Sequence, residues 1–270
     1  MSHRSWDDSK LSRSRRVVKR LVEIPQRDAA GTVVPPLRGA RAGSYTSEWL
    51  LPLRVGEEIS LCGSVEVRVV RGCAEIWGAR LAPSAEFQQV VVPPWSAVAR
   101  LRVVRSSSDG QPEAEVATET QDVKLFLQER SWPVVLCLRV QTESGADRLE
   151  VIRSALTPPA ERKRLSVHRS WPSVAKNFFS QLCAEDPALP AALLIMGAKG
   201  VGKSTCCRYF VNRLLADCPE VCFLETDIGQ PELGPPGMVT LHCLRRPLLQ
   251  VPHAEQHTHQ RVAGFFAAGV

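Results

Sequence analysis

No apolar run in this 270-residue chain approaches the ~18–20 residues that cross a bilayer, so no membrane partner is expected. The opening stretch Met1-Ser-His-Arg-Ser-Trp-Asp-Asp holds no apolar signal-peptide core, which points to the cytosolic or nuclear side. Internal repeats are absent. Nine cysteines are present, but none of their spacings forms a disulfide framework, and they read as reduced core residues. Cys218 and Cys222 come nearest to a ligand pair. No second pair with zinc-site spacing lies nearby, and Cys222 falls on an expected strand, which argues against a metal role there.

What the chain does have is an ordinary globular balance, 44% hydrophobic and 23% charged, with a formal net charge of +6. That length suits two domains. The basic excess is uneven: Arg13, Arg15, Arg16, Lys19 and Arg20 cluster early, and Arg162, Lys163 and Arg164 form a second block. Such blocks are footprints of nucleic-acid binding or nuclear import, with a solvated face as the plain alternative.

Residues 1–45 combine the first block with Pro25, Pro35, Pro36, Gly39 and Gly43 and read as a basic, largely disordered arm. Over 46–156 the pattern turns to short alternating segments: Ile59 to Leu61, Val65 to Val69, Ala74 to Trp77, Val90 to Val92, Arg100 to Val104, Val135 to Val140 and Leu149 to Ile152. Period two between turn residues predicts an all-β, sandwich-like domain. The prolines and charges around Thr157 to Arg164 predict a linker over 157–168. Beyond it, over 169–270, a helix starting at Ser170-Trp171-Pro172 carries Val174, Phe178 and Leu182 on one face, with Pro187 and Pro190 ending it.

The most specific feature follows. The apolar run Ala191-Ala-Leu-Leu-Ile-Met196 predicts a parallel strand buried on both faces. It leads into Gly197-Ala198-Lys199-Gly200-Val201-Gly202-Lys203-Ser204-Thr205, and then Cys207, Phe210, Val211, Leu214 and Leu215 recur at helical spacing. Strand, glycine-rich loop and helix form a P-loop, in which backbone N–H groups and a helix N-terminus cradle phosphate. Lys203 is expected to reach the terminal phosphates of ATP and Ser204 to ligate Mg²⁺. A second apolar strand, Val221-Cys-Phe-Leu224, ends in Glu225-Thr-Asp227-Ile-Gly-Gln230. Asp227, rather than Glu225, is the expected holder of the Mg²⁺ shell, because Glu225 still lies in the strand; a turn cap is the plain alternative. A guanine-reading Asn-Lys-x-Asp motif is missing, which disfavours a GTPase.

The loop, the segment Glu225-Thr-Asp-Ile-Gly-Gln-Pro-Glu232 and Gly234-Pro-Pro-Gly237 with Val239 together resemble the polynucleotide 5′-hydroxyl kinase family. Within it they look most like the nucleolar branch that acts in ribosomal RNA processing, with the mRNA cleavage-factor kinase subunit more distant. The segment from Leu61 to Gly78, with Leu81, Pro83 and Phe87, resembles the family's N-terminal β-domain. The resemblance implies an α/β P-loop NTPase fold with a parallel sheet and flanking helices. It implies transfer of the γ-phosphate of ATP to the 5′-hydroxyl of RNA. Lys203 would stabilise the transferring group, Ser204 with Thr205 would bind Mg²⁺, and Asp227 would orient or deprotonate the hydroxyl. Gln230, of the family's Asp-x-x-Gln motif, would contact metal or nucleophile, with a polar turn residue as the plain alternative. Nucleolar location and an rRNA-processing endonuclease complex as partner are further implications.

Family members continue to a substrate-clasping segment and an arginine-bearing lid, whereas few residues follow Asp227 here. Such an arginine is worth roughly 10³–10⁵ in rate in related transfers, so weak or no kinase activity is expected of a chain cut short there. An incomplete sheet also predicts an exposed apolar edge. Two other readings stand beside the kinase: an ATP-binding scaffold that recruits the endonuclease, and a motor or helicase ATPase, for which the remaining length leaves little room.

Overall fold

The computed structural model describes residues 17–24, 44–94, 96–104, 121–129, 132–143, 146–159, 161–163, 165, 167–184, 192–233, 235–250 and 260–266. Two compact units emerge: residues 1–76 with 81–165, and Trp77–Arg80 with Ser166–Val270.

The first unit is built on two antiparallel sheets. Strands β1 (Val22–Ile24), β2 (Ser44–Leu53), β3 (Glu58–Leu61), β4 (Gly63–Arg71), β5 (Cys73–Ile76), β6 (Ala79–Leu81), β7 (Gln88–Val92), β8 (Ala99–Val104) and β9 (Val134–Glu143) order as β1-β2-β9-β4-β7 and β3-β8-β5-β6. Alternation drives this arrangement. In β8 and β5 every second residue is buried, and in β9 both faces are covered, so five consecutive apolar residues from Val134 are buried. Val135 and Cys137 pack with Leu50, Val70 and Val123, the last from helix α1 (Gln121–Glu129), which the alternation pattern does not announce. Leu136 and Leu138 necessarily point the other way and are fully buried too.

Three expectations for this region are corrected. Leu149 to Ile152 is not a strand but part of helix α2 (Arg148–Leu156). Asp147 caps it by accepting from the Leu149 N–H at 2.9 Å, and the buried Ile152 and Leu156 are four residues apart, the spacing of one helical face. Residues 17–24 do not belong to a disordered arm: Val17 and Val18 are buried, Val22 pairs with Leu50, and the Arg20 guanidinium grips the Glu57 carboxylate at 2.6 and 2.8 Å. Trp77–Arg80, expected within the β-domain, group with the second unit. The expected linker does contain the division between the units, at Leu165 and Ser166, and its first part is held. Arg162 donates to the carbonyls of Pro93 and Ser96, while backbone bonds join Val98 to Lys163 and Leu165. Neither Arg20 nor Arg162 is therefore a free cation for nucleic acid. Ser44 and Tyr45, at the end of the expected arm, begin β2, while residues 1–16, with Arg13, Arg15 and Arg16, and residues 25–43 lie outside the described residues.

In the second unit, helix α3 (Trp171–Ala184) and helix α4 (Lys203–Leu214) precede strands β10 (Val221–Glu225), β11 (Met238–Leu244) and β12 (Gln260–Phe266). These strands pair antiparallel in the order β10-β11-β12, so the parallel sheet expected here is not formed among the described residues. Nor is the run after Ala191 a strand: residues 192–196 pair with no described strand, and Leu194 and Met196 are 78% and 79% exposed. Ile195 alone turns inward, against Ala175, Tyr209 and Phe210. A strand needs a neighbour to satisfy its N–H and C=O groups, and no described strand lies in register beside this one. The positions of Pro187 and Pro190 fall outside the described residues.

The apolar stripe of α4 works as its spacing suggests. Val211 joins Leu233, Leu244 and Leu248 with Leu215, Val221 and Phe223 packed around them. Asn212, buried at the same level, donates to the carbonyls of Trp77 and Leu248 and accepts from the Leu248 N–H at 2.6 Å. One side chain thus satisfies three backbone groups. Among the described residues no helix is long and apolar enough to cross a membrane.

Candidate functional site

The loop ahead of α4 owes its shape to two glycines. Gly200 has φ 78° and Gly202 has φ 92° with ψ 26°, the left-handed region that side-chain-bearing residues enter at a cost of roughly 1–2 kcal/mol. Gly202 stands at the helix N-cap. Where a serine or aspartate would fold back onto the first N–H groups, glycine leaves them without a side-chain cap. Those donors and the positive end of the helix dipole are therefore available to an anion. Space matches: nothing lies within 4 Å of where a Cβ would stand at Gly200 or Gly202.

The other side of the loop is closed. A Cβ at Gly197 would meet the Val201 side chain at 3.0 Å, and Lys203 lies just beyond. From the first position of α4 the Lys203 ammonium reaches back to donate to the Ala198 carbonyl at 3.0 Å, spanning the loop. Lys199 and Val201 are exposed, Ser204 presents its hydroxyl at the surface of the first helical turn, and Thr205 is half-buried. Backbone N–H donors, one ammonium and one exposed hydroxyl are the donor set that a triphosphate and its Mg²⁺ require. The loop residues fit both.

The second candidate element begins where β10 ends. Its strand stops at Glu225, and Asp227 stands two residues beyond, so the order read from the sequence holds but the environments of the two carboxylates differ sharply. Glu225 is buried; its oxygens accept from the Glu232 N–H at 2.6 Å and the Asp227 N–H at 3.4 Å. Burial pushes its carboxyl above the ordinary range, while the backbone donors pull the other way. Asp227 is exposed. Its Oδ1 accepts from the N–H groups of Gly229 (3.1 Å) and Gln230 (2.9 Å), an Asx turn that leaves Oδ2 toward solvent. Gln230 enters this turn through its backbone, and its side chain is exposed.

Sequence reasoning passed over one pair. Arg208, one turn after Ser204 on α4, grips Glu232 through Nε at 2.8 Å and also through a second nitrogen, and both side chains are nearly buried. The Trp77 ring lies 5.0 Å from this guanidinium. The neighbouring Cys207 is half-buried, and desolvation pushes its thiol up to about 11. The pair ties α4 to the segment that follows the Asp227 turn. Its only sequence signal was Glu232 at the end of the quoted segment. The loop residues from Gly197 to Lys203 are brought together, and so are Asp227 and Gln230. Among the described residues no hydrogen bond joins Ser204 or Lys203 to Asp227 directly.

Residues 197–268 match the family model of the mRNA cleavage and polyadenylation factor CLP1 P-loop. A polynucleotide 5′-hydroxyl-kinase grc3 of Aspergillus oryzae is 30% identical over 233 residues, covering 77% of this chain. Over most of its length the chain is thus similar to members of the polynucleotide 5′-hydroxyl kinase family. The matched part of its second unit is accordingly a P-loop segment of the NTPase kind. The grc3 kinase of Emericella nidulans is 30% identical over 255 residues, and the polynucleotide 5′-hydroxyl-kinase NOL9 of Homo sapiens is 36% identical over 102 residues, covering 38% of this chain and 14% of that one. The chain spans only 27% of the length of the Aspergillus oryzae relative and 30% of that from Emericella nidulans. A solved chain of Clp1p in complex with Pcf11p overlaps at a TM-score of 0.46 and 13% identity, over 76% of this chain and 39% of that chain.

Proposed function

We propose that this chain carries the ATP-binding part of a polynucleotide 5′-hydroxyl kinase that acts on RNA in ribosomal RNA processing in the nucleolus. The observation that supports it most is the glycine-formed cradle at the head of α4, followed by the Asp227 turn in a chain whose curated relatives are such kinases. ATP would supply the phosphoryl group and Mg²⁺ would neutralise its charge. Lys203, which donates to the Ala198 carbonyl, would turn to phosphate oxygens, and the Ser204 hydroxyl would hold the metal. Asp227, fixed through Oδ1, offers Oδ2 to the 5′-hydroxyl or the metal shell, and Gln230 steadies that turn. The partner implied by this reading is an rRNA-processing endonuclease complex.

Transfer of labelled γ-phosphate from ATP to a 5′-hydroxyl RNA oligonucleotide tests it, measured with this chain and with a full-length relative carrying equivalent substitutions. Lys203→Ala is expected to lower both ATP affinity and transfer, the latter by about 10²-fold or more, while Asp227→Asn lowers transfer and spares ATP affinity. ATP binding without transfer, in both chain and relative, would instead support a nucleotide-dependent scaffold.

A further inference from the structure

Away from the phosphate loop, the strand pair β10 and β11 places three metal-ligating groups together. Cys222 and Cys243 face each other directly across the pair, and their Sγ atoms are 4.0 Å apart. Glu220, just before β10, brings a carboxylate oxygen to them, so that the three ligand atoms all lie within 4.8 Å of one another. A zinc ion at ~2.3 Å from each of two thiolates in tetrahedral geometry requires sulfurs roughly 3.7–3.8 Å apart. The observed separation needs only a small adjustment. It is much wider than the ~2.05 Å of a disulfide.

We propose that Glu220, Cys222 and Cys243 form a binding site for a thiophilic divalent cation of the zinc class. Two soft thiolates with one carboxylate disfavour Mg²⁺ and Ca²⁺, which take oxygen ligands, and three protein ligands leave a fourth position to solvent. Cys222 is exposed and Cys243 partly so, which gives the ion a path of entry. The Arg245 Nε donates to Glu220 Oε2 at 2.7 Å and holds the carboxylate in place; the second oxygen remains for the metal. Spacing along the chain could not reveal the site, because the pairing partner of Cys222 comes from the next strand rather than from Cys218. The ion would clip β10 to β11 three residues before Glu225, the residue that organises the Asp227 turn.

Co²⁺ titration of the reduced, full 270-residue chain tests the proposal, with Zn²⁺ as competitor. One equivalent should bind with a thiolate-to-cobalt charge-transfer absorption that Zn²⁺ abolishes, and Zn²⁺ should raise the melting temperature. The absorption should vanish in Cys222→Ser/Cys243→Ser and weaken about tenfold in affinity in Glu220→Gln, while Cys218→Ser leaves it unchanged. Circular dichroism identifies any variant that has lost its fold, and Glu220→Gln, which alters no thiol, is then the deciding one. Charge-transfer absorption that survives the double serine variant, or metal binding with no thiolate signature, overturns the site. So does a chain that binds no metal under reductant and, once the reductant is removed and air supplies the oxidant, forms a Cys222–Cys243 disulfide.

Discussion

Glu225→Ala is expected to destabilise the second unit by about 1–4 kcal/mol. The largest part comes from the Glu232 N–H, which is buried and donates to Glu225 Oε2 at 2.6 Å; stranding such a donor costs roughly 1–3 kcal/mol. The Asp227 N–H, at 3.4 Å from Oε1 on an exposed residue, can turn to water and adds about 1 kcal/mol at most. Glu225→Gln keeps one oxygen for Glu232 but sets an amide group against the Asp227 N–H, so about 1 kcal/mol is expected. Urea unfolding with hydrogen exchange read at the Glu232 amide is the assay, and the alanine variant should lose about fivefold or more of that amide's protection. The pH dependence has a definite sign. Burial holds the Glu225 carboxyl above its ordinary value of 4.5, so the folded chain keeps this proton longer than the unfolded one. Its contribution to stability therefore falls as pH rises from the ordinary value through the raised one and is constant above it. That slope should appear in the wild-type chain and be missing from Glu225→Gln. An alanine variant within roughly 0.5 kcal/mol of wild type, the range of a neutral surface change, with the Glu232 amide still protected, would refute the reasoning.

Gly202→Val should abolish ATP binding, read with a fluorescent analogue, because φ 92° is denied to a β-branched residue and the new side chain intrudes where phosphate is expected; retained affinity would sink the cradle. Gly78→Ala should cost about 2–4 kcal/mol in thermal unfolding, since its Cβ would stand 2.6 Å from the Tyr209 carbonyl oxygen at φ 83°. Leu194→Lys with Met196→Lys should reduce self-association in light scattering at unchanged stability, both side chains being largely exposed. Ile195→Lys, which faces Tyr209 and Phe210, should unfold the region instead; equal effects from both would contradict the inward turn of Ile195 alone.

The strands of the first unit were legible because a half-buried strand writes its burial into every second residue, as in Ala99–Val104. That signal fades where tertiary contacts decide. Leu149 to Ile152 reads as a strand by composition, and only the cap at Asp147 with the four-residue step from Ile152 to Leu156 turns it into a helix. Residues 192–196 show the opposite failure: composition supports a buried parallel strand, but a strand exists only with its neighbours, and pairing is not encoded within the run itself.

The site was read with similar asymmetry. Left-handed glycines and a helix start are local properties, so the loop from Gly197 to Thr205 could be found from its own residues. The difference between Glu225 and Asp227 could not, because it arises from what covers each carboxylate. Arg208 makes the same point for charge. With Glu232 it forms a nearly buried pair beside Trp77, just as Arg20 is engaged by Glu57, Arg139 lies between Glu48 and Glu66, and Arg162 is spent on backbone carbonyls. The 34 Lys and Arg residues therefore overstate the free cations these segments offer to a phosphate backbone. Under the proposed function, attraction to RNA would come from residues outside such pairs, and among the described residues Lys199, exposed in the phosphate loop, is one of them.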